Sequence, residues 1–392
     1  MWVGGLRDPE RWDGMADARY RLRWPKELFL WEARRVNALP DDVIVDATAL
    51  LLQEAFDDPA VAEAYRAEIG ALISSWTTTT TDLLVRSKAW LTDLMADDSR
   101  LIRFAPPRYY AEREGHASAQ PSAYSSLVGE FAELLLALRE QGYFPTALPR
   151  DCVDDPTDWD DVSIRASRAI RVPFAWNGNP WATSDWSDPL LYSLIEYFHD
   201  AAQRPRTPGT IHSFAGCGAH YGEHNAASGG AVYRWRVNEL LDRHDVGLNL
   251  GKVGDERGRL VRKFGTPLDD AADHRAAEGA DDPEDEVAHA IRVFRERGAT
   301  ATQKRGALVL LAGALEQRRQ EVKVVLGKDE DVLFRIANEF GLRHRNDRQR
   351  MDYGDEFLDY MFSAYLSAVT LMEALERRGG GQSTQDATDP AA

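Results

Sequence analysis

His344 stands between Arg343 and Arg345, with Asn346, Arg348 and Arg350 close behind it. Histidine is the side chain best placed to exchange protons near neutral pH. Neighbouring arginines can hold a phosphate and stabilise charge on a pentacovalent phosphorus without titrating themselves. With Asn346 and Gln349 as hydrogen-bonding groups, the set suits metal-independent cleavage of RNA, in which the ribose 2′-hydroxyl is the internal nucleophile. A plainer reading uses the same residues: cations beyond a helix C-terminus complement the macrodipole, and arginine-rich turns often pair with surface acids. On residue chemistry alone the plainer reading carries more weight.

A second cluster lies in the glycine-rich stretch Ile211-His-Ser-Phe-Ala-Gly-Cys-Gly-Ala-His-Tyr-Gly-Glu-His224. Cys217, His220 and His224 have spacing resembling half of a zinc site, and His212 could complete a tetrahedron. Structural zinc sites usually draw on two separate ligand pairs, however, and here one short loop would supply everything. The alternative is a glycine turn packed against Tyr221 and Trp235, its histidines serving as ordinary hydrogen-bonding groups. Gly251-Lys-Val-Gly-Asp-Glu-Arg-Gly258 lacks the ending of a phosphate loop and reads as a hairpin turn. Among Trp159, Phe174, Trp176, Trp181, Trp186, Tyr192 and Tyr197 no cation interleaves from Phe174 onward, so they are expected to be structural anchors rather than a base-stacking surface.

The elements that must position these residues are read from periodicity. Residues 1–150 are expected to be helical. Asp58-Pro59 opens a helix carrying Val61, Tyr65 and Ile69, and the last threonines of the run Thr77–Thr81 cap the next one. A third helix is expected over 122–141. Residues 151–265 form an α+β middle region: an irregular stretch to 187, a helix opened by Asp188-Pro189, the glycine loop, a helix over 231–244, and a β-hairpin. Residues 266–283 belong to a run with nine acids against Arg275, expected to be a solvated linker. Residues 284–378 are expected to form a helical bundle of four segments, 284–297, 302–325, 329–340 and 355–377. A disordered tail, 379–392, follows. The fold class is therefore mainly α.

The segment Leu333-Phe-Arg-Ile-Ala-Asn-Glu-Phe-Gly-Leu-Arg-His-Arg-Asn-Asp-Arg-Gln349, followed by an Asp-Tyr pair and an aromatic helix, resembles the C-terminal part of a group of largely uncharacterised bacterial proteins. These are similar to the HEPN-type helical domains of AbiJ-like abortive-infection proteins. Leu190–Asp200 and Ile211–Tyr221 resemble that group's middle region. The resemblance covers roughly residues 170–376 and leaves the N-terminal part unmatched. It implies a HEPN-like bundle, often dimeric, that acts as an endoribonuclease in phage defence or toxin systems. The motif of such domains is an arginine, a polar residue, three or more others, then a histidine. Arg343 and His344 supply its beginning and are the implied catalytic pair, with Arg345, Asn346, Arg348 and Arg350 binding phosphate. The later histidine is absent, and Arg348 stands near its place. His344 takes that role, or the domain is a non-catalytic interaction or scaffold protein whose basic turn docks a partner.

Bulk composition limits the alternatives. The 392 residues are enough for two or three domains, and 44% hydrophobic with 28% charged residues is ordinary for a globular protein. A formal charge of -17 argues against general coating of nucleic acid, though not against a local basic cleft. Two cysteines, Cys152 and Cys217, are no disulfide framework. No signal-peptide pattern and no membrane-spanning apolar run is present, so a cytoplasmic protein with no membrane partner is expected. RNA and a second copy of the chain, bound through the C-terminal bundle, are the expected partners. Metal-independent cleavage needs no cofactor, and a structural zinc is the alternative use of the His212/Cys217/His220/His224 loop.

Overall fold

The structure is a computed structural model that describes residues 20–40, 43–74, 79–103, 110, 126–153, 155–211, 219–264, 268–279, 282, 284–339 and 354–383. The described chain is mainly α, with fourteen α-helices and short two-stranded β-pairings. Two compact units divide at Arg236/Val237. Within the first of these, residues near 204–228 meet partners from the first sixty: Arg204 bonds Glu32 and Glu54, and Ser228 bonds Glu32.

In the first unit, α1 (Lys26–Asn37) packs on α2 (Ile44–Ala55) and α4 (Thr80–Ala96), and α3 (Ala60–Ile73) covers α2 and α4. The starts of these helices are set locally. Asp58 Oδ1 accepts the Ala60 N–H at 2.9 Å, and Thr79 closes a capping box with Asp82 at the end of the threonine run. Phe29 meets Phe56 edge-on at 5.2 Å in the core. Strand β1 (Arg21–Leu22) pairs in parallel with β2 (Ile102–Arg103), Arg21 opposite Ile102. Next comes α5 (Leu127–Glu140), which starts at its Ser126 cap; residues 111–125 lie outside the described residues.

The stretch expected to be irregular holds α6 (Trp159–Ile170), started by Asp158 accepting from the Asp160 and Asp161 amides. Its polar surface hid the periodicity, for only Val162, Ser163 and Ala166 are buried. Helix α7 (Asp188–Ala201) is followed by β3 (Arg204–Pro205), β4 (Pro208–Ile211), β5 (Ala219–Tyr221) and β6 (His224–Asn225). β3 pairs antiparallel with β6, and β4 with β5. Helix α8 (Ala226–Arg243) carries the unit boundary. A Cβ on its Gly229 would lie 2.4 Å from the Ala202 carbonyl oxygen, so only glycine lets α8 pass the end of α7. Among the aromatic anchors Phe174, Trp176 and Trp186 are buried, whereas Trp181 is exposed.

In the second unit, β7 (Leu248–Leu250) and β8 (Leu260–Arg262) pair antiparallel, Asn249 opposite Val261. Residues expected as an acidic linker instead carry α9 (Leu268–Glu278), with Ala272 and Ala276 in the core. Its carboxylates are met by arginines: Asp273 by Arg295, and Arg275 itself bridges Asp285 and Glu373. Helices α9, α10 (Glu286–Arg295), α11 (Ala301–Gln317) and α14 (Asp355–Ser383) form the bundle, with α12 (Arg319–Leu326) and α13 (Asp329–Glu339) against it. The helix expected over 302–325 breaks at Arg318, whose guanidinium bonds Glu321 and Glu376. α14 continues to Ser383, past the expected start of the tail, and 384–392 lie outside the described residues. Phe294 and Phe362 stack at 4.0 Å in the middle of the core. Burying each such side chain contributes about 1.5–3 kcal/mol. No described helix is long and apolar enough to cross a membrane.

Candidate functional site

The basic segment joins α13 to α14, and the bundle fixes its two flanks. On the α13 side Leu333 and Phe334 are buried. Arg319 stacks over Phe334 at 4.8 Å while pairing with Glu330 at 2.6 Å, and the Tyr365 hydroxyl reaches the Leu333 carbonyl at 3.5 Å. On the α14 side the first turn is clamped by cations. Lys304, almost wholly buried, donates to Asp355 at 2.6 Å, and Arg262 makes a two-point contact with Asp359 at 3.1 Å. The Lys304 hydrogen bond holds the Asp355 carboxyl below the usual range. Arg343, His344, Arg345, Asn346, Arg348 and Arg350 themselves lie outside the described residues.

In the glycine loop, His212 and Cys217 lie outside the described residues, whereas His220 and His224 fall on β5 and β6. The structure adds a residue that spacing could not reveal: Cys152 Sγ is 3.6 Å from His220 Nε2. Thiolate and imidazole together can bind a zinc-like cation. Among the described residues no group of three or more metal ligands assembles.

Sequence reasoning missed a buried charge cluster in the first unit. Arg204, Glu32 and Ser228 are fully buried, and Arg206 nearly so. Arg204 Nη1 donates to Glu32 Oε1 at 3.2 Å and its Nε to Glu54 Oε2 at 2.8 Å, while the Tyr143 hydroxyl donates to Glu54 Oε1. Arg206 Nη2 donates to Ser228 Oγ at 2.7 Å, and Ser228 passes its own hydrogen to Glu32 Oε2 at 2.7 Å. Arg206 Nη1 lies 2.5 Å from Glu32 Oε1 as an ion pair, out of hydrogen-bond alignment. Burial opposes the Arg204 charge, but Glu54 and Glu32 outweigh it and its pKa rises. Burial dominates at Arg206, whose pKa falls despite Glu32.

Beside this cluster opens a cavity of about 190 Å³, again within the first unit. Trp24, Glu54, Tyr221 and Trp235 line it, with Gln53, Gln141 and Arg236 also on its wall. The two tryptophan rings are 6.3 Å apart and tilted by 52°. Gly142, at φ 80°, brings the chain against the Tyr221 ring, where a Cβ would come within 2.2 Å. The only available signal for this cavity was the pair of tryptophans, which lie far apart in the chain.

In the second unit Glu256, on the turn between β7 and β8, is buried beside Asp273 and Arg295. Arg295 Nη1 sits 3.0 Å from both carboxylates. Burial, only partly countered by Arg295 and reinforced by Asp273, pushes the Glu256 carboxyl up to about 7.

Compared with known proteins, the chain matches no family model, no curated protein and no solved structure.

Proposed function

We propose that the protein acts on RNA as a metal-independent endoribonuclease of the abortive-infection or toxin kind, its C-terminal bundle being HEPN-like. The observation that supports this most is the double anchoring just described. Lys304 and Arg262 on one side, and Arg319 with Phe334 on the other, hold the helices that flank a segment containing four arginines and His344. In this reading His344 takes the proton of a ribose 2′-hydroxyl, and the oxygen attacks the adjacent phosphorus. The bond to the 5′-oxygen breaks, that oxygen takes a proton from solvent, and the products are a 2′,3′-cyclic phosphate and a 5′-hydroxyl. Arg343 stabilises the equatorial oxygens, and Arg345, Asn346, Arg348 and Arg350 hold flanking phosphates.

Incubation with tRNA and total RNA tests the proposal. His344→Ala is expected to slow cleavage by about 10²–10⁴-fold, the range for loss of a general base. Equal cleavage by both proteins removes His344 from the mechanism. RNA retention without cleavage, abolished by Arg345→Ala/Arg348→Ala, favours the non-catalytic binding protein.

The homodimer belongs to the same proposal. Phe357, Tyr360, Leu371 and Leu375 are all exposed, between 37% and 59%. At 100° per residue they fall on one narrow face of α14. Such a stripe suits a second copy of the same helix. Tyr360→Glu/Leu371→Glu is expected to shift the mass in light scattering from dimer to monomer. A monomeric unmutated chain at micromolar concentration refutes the seam.

A further inference from the structure

We propose that the first-unit cavity binds a guanine nucleotide, independently of any action on RNA. Size sets the first limit. A cavity of roughly 150 Å³ accepts one benzene ring, so about 190 Å³ admits a fused two-ring base with its substituents left at the mouth. The walls are suited to a flat ring: Trp235 and Tyr221 offer aromatic surface from two separate segments of the chain, and Trp24, itself buried, backs Trp235. Pockets for small molecules commonly combine such apolar walls with a few placed polar groups.

Those polar groups select the ring. Glu54 keeps 18% of its side chain exposed, and Arg204 and Tyr143 fix its carboxylate from behind. A carboxylate only accepts hydrogen bonds, and each oxygen has a lone pair beyond the one already used. Guanine presents two adjacent donors, its ring N1–H and exocyclic amine, to one carboxylate. Adenine presents one donor beside an acceptor that the carboxylate repels. The Gln53 side-chain carbonyl accepts from Arg66, leaving its amide N–H₂ as a donor at the rim. Arg236 stacks over Trp235 at 5.5 Å and pairs with no carboxylate among the described residues. It is placed to meet an anionic substituent, which makes the ligand a nucleotide rather than a free base.

Calorimetric titration of the full chain with GMP, guanosine, AMP and inorganic phosphate tests this. GMP is expected to saturate one site per chain, guanosine to bind the same site more weakly, AMP to bind at least about tenfold more weakly than GMP, and phosphate alone to give no saturable heat. Arg236→Gln is expected to bring GMP down to the affinity of guanosine and leave guanosine unchanged. Trp235→Ala is expected to weaken both, with its urea midpoint confirming a folded chain. No saturable heat from GMP at millimolar concentration overturns the proposal, as does AMP binding as tightly as GMP. An unchanged GMP-to-guanosine ratio in Arg236→Gln removes the phosphate assignment. Binding of a guanosine-ended oligonucleotide without binding of GMP replaces the free nucleotide by an RNA subsite. The His344→Ala comparison is unaffected by any of these outcomes.

Discussion

Glu32→Gln is expected to lower the unfolding free energy of the first unit by about 3–5 kcal/mol, the cost of removing one partner from a buried ion pair. Buried Glu32, part-exposed Glu54 and two buried arginines share the cluster. Without the Glu32 charge, Arg204 still has Glu54, whereas among the described residues Arg206 keeps only the Ser228 hydroxyl. The substitution preserves shape, so the loss measures an uncompensated buried guanidinium rather than a hole in the core. Urea unfolding followed by tryptophan fluorescence reports it cleanly, since all eleven tryptophans precede Val237. The midpoint should fall with little change in slope. Adding Arg206→Met to Glu32→Gln restores charge balance, and the double variant should recover much of the loss. A single-variant loss below about 1 kcal/mol, typical of exposed pairs, would show that water reaches the cluster.

The second large effect is a pH dependence in the second unit. Folded Glu256 keeps its proton up to about 7, whereas the unfolded chain releases it near the usual 4.5. Between those values the folded state binds more protons, so stability falls as pH rises through this window and levels off above it. At roughly 1.4 kcal/mol per pH unit the whole change is on the order of 3 kcal/mol. Glu256→Gln removes the ionisable group while leaving Arg295 paired with Asp273. It is expected to stabilise the unit by that order at pH 8 and to change little at pH 5. The second unit has no tryptophan. Its transition is therefore the part of the circular-dichroism signal without a matching fluorescence change. A parallel pH profile in variant and parent would show that Glu256 is ionised in the fold at neutral pH.

Neighbouring residues were enough to locate much of the helical framework. Periodic Leu308, Leu311 and Leu315, and Leu358, Phe362, Tyr365 and Val369, are core residues of α11 and α14. Asp58 and Thr79 act as helix-start groups because capping is settled within three or four residues. The cationic segment around His344 was also visible, since local charge density requires no knowledge of the fold. Composition misled at α9, whose acids resemble a linker until Arg295 and Arg275 are brought beside them. The burial of Glu32 against Arg204, of Trp24 near Trp235 and of Glu256 by Arg295, and the approach of Cys152 to His220, were settled only by tertiary structure. In a sequence a charged or polar side chain is read as exposed, because leaving water costs more than any neighbour in the chain can return. What reverses that cost is a partner many residues away: Glu32 and Arg204 are separated by 172 positions. Helices and the basic segment therefore follow from local chemistry, whereas the cavity and both buried charge clusters exist only once distant parts of the chain pack together.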